Sequence, residues 1–263
     1  MPSIGQKQET IAIFGSTGKS GKEILAGALE KGYKVRLMVR NPAKLENSIK
    51  NNADVTVFTG NISSKDAIRD TIQGSQYVIS VVSGPLGKPD QFPVGEFLAF
   101  TKTLVEIMKE TPTVKVFLHQ AGAFVPHPDG SHPLLLRMLK KYAEHPKLGG
   151  IGPNLAENLS IMKYMMSIQD DDDVKFKMIA TRPGKLDNSD KMVELIGDDT
   201  NYPMSTTSYY DLGRFTVDAI EDESLYGKFP FVVAKKSSGS LLTPEAMAIS
   251  SIFLLAAFAF RRA

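Results

Sequence analysis

Short apolar runs alternate along this chain with longer stretches in which apolar residues recur at helical spacing. The runs predict buried β-strands, and the stretches between them predict α-helices. The predicted strands cover residues 10–14, 34–40, 55–58, 77–82, 114–118, 176–180 and 229–234, and the predicted helices cover residues 22–30, 65–72, 96–109, 155–168 and 211–220. Because the crossovers between strands are long enough for helices, we expect an α/β fold, a doubly wound parallel sheet with helices on both faces.

Residues 125–153 interrupt this alternation. The segment contains prolines at positions 126, 128, 133, 146 and 153, around one short basic helical piece from Leu134 to Tyr142. Long connections inside compact domains are usually functional. We therefore expect an inserted, lid-like surface segment.

The composition is that of a chain that can fold around its own core. Of its 263 residues, 42% are hydrophobic and 23% are charged, which suits one α/β domain of this size. We expect that domain to occupy residues 1–236. A flexible linker is expected over residues 237–245, which begin with Ser237-Ser-Gly-Ser240, and an apolar helix over residues 246–263.

The run from Ala246 to Phe260 holds 15 residues without a charge, flanked by Lys235-Lys236 and Arg261-Arg262. As a helix it would span about 22 Å, against a hydrocarbon core of ~30 Å, and it is apolar on every side. A membrane anchor is predicted, with a packed terminal helix or an oligomer contact as alternatives. Since the polar N-terminus lacks a secretory signal, the protein is expected on the cytoplasmic face, held on an intracellular membrane by its C-terminus, and not secreted.

Charge and residue types argue against several other functions. The formal net charge is +2 and the basic residues are scattered, so nucleic acid is not an expected partner. The chain has no cysteine, which excludes disulfides and thiolate chemistry. His119, His127 and His132 lie close together in the sequence but lack the i, i+4 spacing of a helical zinc pair, so no metal site is predicted. The oligomeric state is left open.

A glycine-rich turn joins the first predicted strand to the first predicted helix. It consists of Gly15-Ser16-Thr17-Gly18-Lys19-Ser20-Gly21. In this position the glycines permit a tight turn, a close approach of the backbone to a pyrophosphate, and close packing of helix on strand. The helix N-terminus adds free N–H groups and the positive end of its dipole. These seven residues are predicted to bind the pyrophosphate of a nicotinamide dinucleotide, which makes the fold Rossmann-type.

The same turn contains Gly18-Lys19-Ser20, a combination that also ends the phosphate loop of nucleoside triphosphatases. That loop requires another glycine five residues before Gly18. Ile13 of the first strand occupies this position. A P-loop-like nucleotide binder is therefore kept only as an alternative.

The residues after the second strand indicate which dinucleotide binds. NAD sites place an Asp or Glu there, about 20 residues beyond the turn, whereas an Arg accommodates the 2′-phosphate of NADP. This chain has Val39-Arg40-Asn41-Pro42 without a carboxylate, and Lys44 adds a second positive charge. NADP is thus expected in preference to NAD. The alternative is that Arg40 is only an exposed residue at a strand end.

Several further pieces, taken in order, carry a family resemblance. They are Gly15-x-x-Gly18-x-x-Gly21, Val39-Arg40-Asn41-Pro42-Ala43-Lys44-Leu45, Thr59-Gly60-Asn61-Ile62, Val78-Ile79-Ser80, Ala156-Glu157-Asn158, Arg182-Pro183-Gly184-Lys185-Leu186 and Asp211-Leu212-Gly213-Arg214-Phe215. From about Thr10 to Ala234, the chain resembles the atypical short-chain dehydrogenase/reductase group that includes the NmrA-like and flavin/biliverdin-reductase-like NAD(P)-binding proteins.

This resemblance implies positions for the rest of the site. From the adenine to the nicotinamide, the implied residues are Asn61, Ile62, Val82, Ser83, Gly84, His119 and Gln120. The first two would flank the adenine, and the next three, at the end of the fourth strand, would lie along the nicotinamide half. The last two, after the fifth strand, would face the same cleft, where a small-molecule substrate would bind.

The chain departs from the family at the residues that carry catalysis. Ordinary members use a Ser after the fifth strand, and a Tyr with a Lys four residues later. Here His119-Gln120 replaces the Ser, Tyr142 is followed at that spacing by Pro146, and Pro153-Asn154 stands where relatives place a Lys before the Ala-Glu pair. No Ser-Tyr-Lys set is visible, and the catalytic residues remain unknown.

Two functional hypotheses survive this departure. Hydride transfer to a flavin or another conjugated acceptor can depend on cofactor positioning, with solvent supplying the proton. We therefore expect an NADPH-dependent oxidoreductase that passes hydride to a small conjugated or carbonyl acceptor. The alternative is a non-catalytic, NADP-binding redox sensor or scaffold.

Overall fold

The computed structural model describes residues 9–84, 88, 93–145, 150–189, 192–199, 201–203 and 206–235. The expected linker at 237–245 and the expected apolar helix at 246–263 lie outside these ranges, so the membrane anchor stays a prediction. Within the described ranges, no helix combines the length and apolar character that crossing a membrane requires.

Ten strands are described. They are β1 (Thr10–Phe14), β2 (Lys34–Val39), β3 (Val55–Thr59), β4 (Tyr77–Ser80), β5 (Val116–Gln120), β6 (Lys177–Pro183), β7 (Leu186–Asp187), β8 (Leu195–Asp198), β9 (Thr207–Ser208) and β10 (Phe231–Ala234). Eight of them form the central sheet in the order β3-β2-β1-β4-β5-β6-β10-β8. Every neighbouring pair is parallel except β10 and β8. Strand β1 therefore lies inside the sheet, and the later strands are added outward from it in both directions.

Helices connect the strands and cover the sheet. They are α1 (Lys19–Glu30), α2 (Asn47–Lys50), α3 (Lys65–Ile72), α4 (Glu96–Lys109), α5 (Leu134–Glu144), α6 (Gly152–Ile168) and α7 (Tyr209–Ala219). Alternate residues of β1 face opposite layers: Ala12 and Phe14 pack in the cluster with α3, α4 and α6, whereas Ile11 and Ile13 pack in the cluster with α1 and α7. All four side chains are fully buried, which confirms the predicted doubly wound α/β sheet with helices on both faces.

Helices α1 and α7 are docked closely against each other. A Cβ at Gly213 would lie 2.6 Å from the Cβ of Glu23, and Arg214 donates to the carboxylates of Glu23 and Glu30 at 3.0 and 2.6 Å. Both helices begin at the same side of the molecule, since Lys19 Nζ lies 5.4 Å from the ring centre of Tyr209. The first turn of α7 is thus a neighbour of the glycine-rich turn.

Several predicted boundaries differ from the observed ones by a few residues, and three of these differences bear on the site. Helix α1 begins at Lys19 rather than at residue 22, because Gly18 is its N-cap. Strand β4 ends at Ser80 rather than at residue 82. Strand β5 spans 116–120 rather than 114–118, because the N–H of Val114 is still bonded to the carbonyl of Thr111 in the preceding turn. The structure therefore places His119 and Gln120 inside β5 rather than after it.

Three short strands were not predicted. Strands β7 and β9 have two residues each, and β8 has four half-buried residues that include Gly197. Segments this short contain too few residues to show a periodic pattern. Strand β8 pairs antiparallel with β10 and covers an edge that β10 would otherwise expose.

The inserted segment at 125–153 contains the predicted helical piece as α5, and its last residues belong to α6, which begins at Gly152. Leu136 is buried in a small cluster with Ala123, Phe231 and Val233, whereas Leu134 and Met138 are exposed. The segment therefore packs onto the core through one face of α5. That it acts as a lid stays a prediction.

Candidate dinucleotide-binding site

The turn between β1 and α1 has an unusual backbone conformation at its first glycine. Gly15 has a φ of +95°, and a Cβ at this position would lie 3.0 Å from the backbone of Val81. The N–H of Gly18 closes the turn by donating to the carbonyl of Gly15 at 3.0 Å. Only residues 15–18 separate β1 from α1, which is shorter than the phosphate loop of a P-loop nucleotide binder.

Gly21 lets α1 approach this turn. A Cβ at Gly21 would overlap the carbonyl of Gly15 and would lie 2.7 Å from the Cα of Ser16. Gly18 caps the helix without any side-chain hydrogen bond. The first-turn N–H groups of α1 therefore stay available to an anion such as a pyrophosphate.

Buried polar atoms around the turn also suit a bound ligand. Ser16 is buried, and its Oγ has no hydrogen-bond partner among the described residues. Gln120 donates from Nε2 to Ser20 Oγ at 3.2 Å, while its buried Oε1 has no partner in the same ranges. Thr17 and Lys19 are exposed. Because unpaired buried polar atoms are costly, these hydroxyl and amide groups fit a polar molecule bound along the turn.

The end of β2 is positively charged. Arg40 follows the strand and is exposed, and the Asn41 side chain accepts from the N–H of Ala43 at 2.9 Å to open the 3-10 turn that contains exposed Lys44. The first acidic residue after the strand, Glu46, lies 3.6 Å from Lys22 Nζ. The described part of this region therefore has two exposed cations and no carboxylate at the strand end.

The end of β3 carries the residues expected at the adenine. Asn61 is exposed, and its Oδ1 accepts from the N–H of Ser63 at 2.8 Å. Ile62 is half-buried and packs against the cluster that contains α3. The side chain of Ile62 offers an apolar contact to a base. The side-chain oxygen of Asn61 already accepts a hydrogen bond from Ser63.

The residues after β4 lie beside the glycine turn. The N–H of Val81 donates to the carbonyl of Phe14 at 3.0 Å, which ties this connection to the end of β1. Val82 and Gly84 are half-buried and Ser83 is exposed. This short segment therefore continues the edge of the sheet from the turn toward β5.

His119 is enclosed more deeply than the sequence suggested. It is 1% exposed, and its Nε2 lies 2.9 Å from Asn158 Oδ1 on α6. Burial lowers the pKa of His119 to about 4, and the hydrogen bond to Asn158 opposes this shift only in part. The imidazole is therefore neutral at physiological pH, and its hydrogen bond to Asn158 lies inside the protein.

Two buried residues of α6 have roles that sequence reasoning missed. Glu157 accepts from the N–H groups of Gly95 and Leu98, both at 2.8 Å, and so caps the N-terminus of α4. Asn158 bonds His119 and, through Nδ2, the carbonyl of Asn154 at 2.9 Å. The only sequence signal is that both residues belong to Ala156-Glu157-Asn158, one of the motifs shared with the family.

The histidines of the inserted segment do not come together with His119 as a metal site. His127 Nδ1 lies 2.8 Å from Asp129 Oδ1, and burial is the main cause that lowers the pKa of His132 to about 4. No group of three or more His, Asp or Glu side chains suited to a metal occurs within the described ranges.

The sheet order and the glycine turn define a Rossmann-type dinucleotide-binding protein with an oxidoreductase-like fold. The sequence model of NAD(P)H-binding proteins matches residues 15–223. The chain therefore belongs to the NAD(P)H-binding family, and the resemblance to the NmrA-like and flavin-reductase-like atypical short-chain dehydrogenase/reductases is confirmed.

Known proteins with similar sequences and structures agree with this assignment. An oxidoreductase of Pestalotiopsis microspora is 25% identical over 259 residues, which cover 95% of this chain and 94% of that protein. A short-chain dehydrogenase/reductase of Veillonella parvula in complex with NADP has a TM-score of 0.66 at 14% identity, covering 89% of this chain and 100% of that one. A Streptococcus pneumoniae protein assigned as an NADH-flavin reductase has a TM-score of 0.62 at 18% identity, covering 86% and 100%. The two structures show the shared fold.

Proposed function

We propose that this protein is an NADPH-dependent reductase that passes hydride to a small conjugated or carbonyl acceptor. The observation that carries the proposal is the glycine turn, in which Gly21 lets the N-terminus of α1, which has no side-chain cap, meet the turn. Free N–H groups and the helix dipole at this place attract a pyrophosphate. The oxidoreductase relative named above supports the class of reaction.

The preference for NADP over NAD rests on the end of β2. An exposed guanidinium can form two parallel hydrogen bonds to a phosphate, and the neighbouring ammonium adds charge. Arg40 and Lys44 supply these groups at the position where NAD sites hold a carboxylate. A 2′-phosphate is therefore favoured there by charge, whereas the ribose hydroxyls of NAD meet no acceptor from a carboxylate.

The remaining residues of the proposed site would contact different parts of the cofactor. Ile62 and Asn61 would contact the adenine, and Ser16 Oγ and the α1 N-terminus would contact the phosphates. The segment Val82–Gly84 would lie along the nicotinamide half, with Gln120 held toward the turn by its bond to Ser20. When bound, the cofactor supplies the hydride, and the chain supplies position, charge and exclusion of water.

A conjugated acceptor is favoured because no strong proton donor stands in the catalytic positions of the family. His119 occupies the place of the usual Ser, and its burial keeps it neutral. Reduction of a conjugated system can be completed by a proton from water. The same observation favours the second candidate, an NADP-binding redox sensor or scaffold that does not turn over.

The first experiment is a titration of the full-length protein with NADPH and with NADH, following nicotinamide fluorescence. We expect both to bind and NADPH to bind about tenfold or more tightly, as expected for a charge-assisted phosphate contact worth at least about 1.4 kcal/mol. Absence of binding by either nucleotide would reject the site. Tighter binding of NADH would reject only the role given to Arg40.

The second experiment separates reductase from sensor. NADPH oxidation is followed with flavins, quinones and simple carbonyl compounds as acceptors, and an enzyme is expected to reduce at least one of them in proportion to protein concentration. A protein that binds NADPH tightly but oxidises it with none of these acceptors is assigned to the sensor or scaffold class.

A further inference from the structure

Three polar side chains form a continuous hydrogen-bonded chain from β5 to the first turn of α6. His119 Nε2 lies 2.9 Å from Asn158 Oδ1. Asn158 Nδ2 lies 2.9 Å from the backbone carbonyl of Asn154 and 3.3 Å from its Oδ1. His119 and Asn158 are buried, whereas Asn154 is half-buried. This chain of hydrogen bonds thus begins inside the protein and ends at a partly exposed amide.

The direction of every donor in this chain is fixed. A backbone carbonyl can only accept, so the group of Asn158 that faces the Asn154 carbonyl must be its NH2. Its Oδ1 then faces His119, which must donate from Nε2. The same NH2 lies near Oδ1 of Asn154, so that side chain is held with its oxygen toward Asn158 and its own NH2 directed away.

The neutral imidazole makes this arrangement stable. His119 Nδ1 is buried and has no partner within the described ranges, as suits a ring that carries its one proton on Nε2. Burial also opposes a second proton on the ring. His119 therefore keeps Asn158 in one orientation over the ordinary pH range.

The position of α6 places Asn154 at the ligand-binding edge. Helix α6 connects β5 to the parallel strand β6, so it runs back across the sheet and starts at the carboxyl edge, where α/β proteins bind ligands. His119 is the residue before the last of β5. Asn154 lies four residues, about 6 Å, before Asn158 along α6, and so farther out over that edge on the same face.

We propose that Asn154 is a catalytic residue of the reductase, which donates its amide N–H to the acceptor oxygen that becomes negative during hydride transfer, and that Asn158 and His119 position it. The inference rests on the proposed function. Hydride adds to the carbonyl carbon or to the far carbon of a conjugated carbonyl, and the π electrons move to the oxygen. The acceptor gains two electrons, the cofactor loses them, and water then supplies the proton.

A neutral donor of this kind suits the surroundings. A fixed amide stabilises developing negative charge without carrying a proton that it must replace. The neighbouring carboxylate of Glu157 is already satisfied by two N–H groups of the α4 segment, which reduces its repulsion of a negative oxygen. The asparagines Asn154 and Asn158 also have the four-residue spacing of the Tyr-Lys pair that this chain lacks.

The test uses full-length Asn154→Ala, Asn154→Asp and Asn154→Gln proteins, with Ser160→Ala on an exposed site of the same helix as the matched control. With an acceptor that the wild type reduces, Asn154→Ala is expected to lower kcat on the order of 10²-fold, with the NADPH Kd changed less than about twofold. Asn154→Asp should lose more because its carboxylate repels the oxygen. Asn154→Gln should recover part of the loss, and Ser160→Ala should match wild type.

The positioning role has its own readout in the free protein. In wild type, the side-chain NH2 resonances of Asn158 should be protected from hydrogen exchange, and Asn158→Asp should lower kcat without adding to the loss caused by Asn154→Ala. Rapid exchange of that NH2, or full kcat in Asn154→Ala, overturns the inference while the reductase function stands. A wild-type protein that binds NADPH but reduces no acceptor overturns the function, and the role of Asn154 with it.

Discussion

The two halves of the sheet's carboxyl edge are built from the chain in different ways. The half formed by β1, β2 and β3 uses residues that are close in sequence, such as the glycines of the turn and Arg40 just after β2. The half formed by β4, β5 and β6 depends on contacts between residues far apart, such as Gln120 with Ser20 of the glycine turn and His119 with Asn158. Local backbone geometry determines the first half, the local half. Tertiary packing determines the second, the assembled half.

This difference predicts how substitutions in each half should affect the protein. A substitution in the local half should damage nucleotide binding directly, because the ligand meets the backbone there. A substitution in the assembled half should act through burial and hydrogen bonding between elements.

Replacing Gly21 should have the largest effect. In Gly21→Val the new side chain overlaps the carbonyl of Gly15 and the Cα of Ser16, so the turn and α1 must separate. We expect NADPH binding to weaken by ~100-fold or more and the protein to lose about 1–3 kcal/mol of stability, as typical of overpacking. Fluorescence titration and urea unfolding measure the two effects.

The matched control is Gly122→Ala, since a Cβ at Gly122 meets nothing within 4 Å. It should bind NADPH as wild type does. If Gly21→Val binds NADPH normally, the close contact between turn and helix is not needed for the nucleotide, which contradicts a pyrophosphate site at the turn.

The fold and the local half were predictable because their signals are contiguous. The apolar runs of β1 and β2 and the glycine turn each fit within a few residues, and the parallel sheet with helices on both faces follows from the βα alternation. The assembled half was not predictable to the same depth. That His119 is buried depends on Asn158 of α6, which is 39 residues away in sequence, and the cap on α4 depends on Glu157. No local pattern encodes such pairs.

Protonation of His119 should give the next largest effect. Its pKa falls from 6.5 to about 4 on folding, mainly because of desolvation. The unfolded chain therefore takes up the proton first as pH decreases. The contribution of neutral, buried His119 to the free energy of unfolding is full above pH 6.5 and declines as pH falls toward about 4. Below that pH it stays at its low value. Over the whole window the loss is on the order of 3 kcal/mol.

A comparison with His119→Gln isolates this contribution from the carboxylates that titrate in the same window. Glutamine keeps an N–H donor for Asn158 but does not titrate. Urea unfolding at pH 7.5 and pH 5 should show the variant becoming more stable relative to wild type by about 2 kcal/mol. Equal pH dependence in the two proteins would mean that His119 is not desolvated.

Arg40 tests the chemistry of the local half without disturbing its backbone. Arg40→Gln removes a guanidinium that can pair with a 2′-phosphate, so NADPH binding should weaken about 10- to 100-fold, which corresponds to about 1.4–2.8 kcal/mol. NADH binding should stay within about twofold, because NADH has no phosphate there. The control is Lys34→Gln, which removes an exposed charge at the opposite end of β2. Equal weakening of both nucleotides in Arg40→Gln would contradict a specific phosphate contact.

Glu157 should give the smallest effect, although it belongs to the assembled half and is 5% exposed. Its two oxygens accept from Gly95 and Leu98 at the start of α4. In Glu157→Gln one oxygen still accepts, while the charge and the second acceptor are lost, so the free energy of unfolding should fall by about 1–2 kcal/mol. Glu96→Gln, an exposed acid in the first turn of the same helix, should cost less than about 0.5 kcal/mol. If the two variants lose equal stability, the cap contributes no more than a surface charge, and packing alone holds α6 against α4.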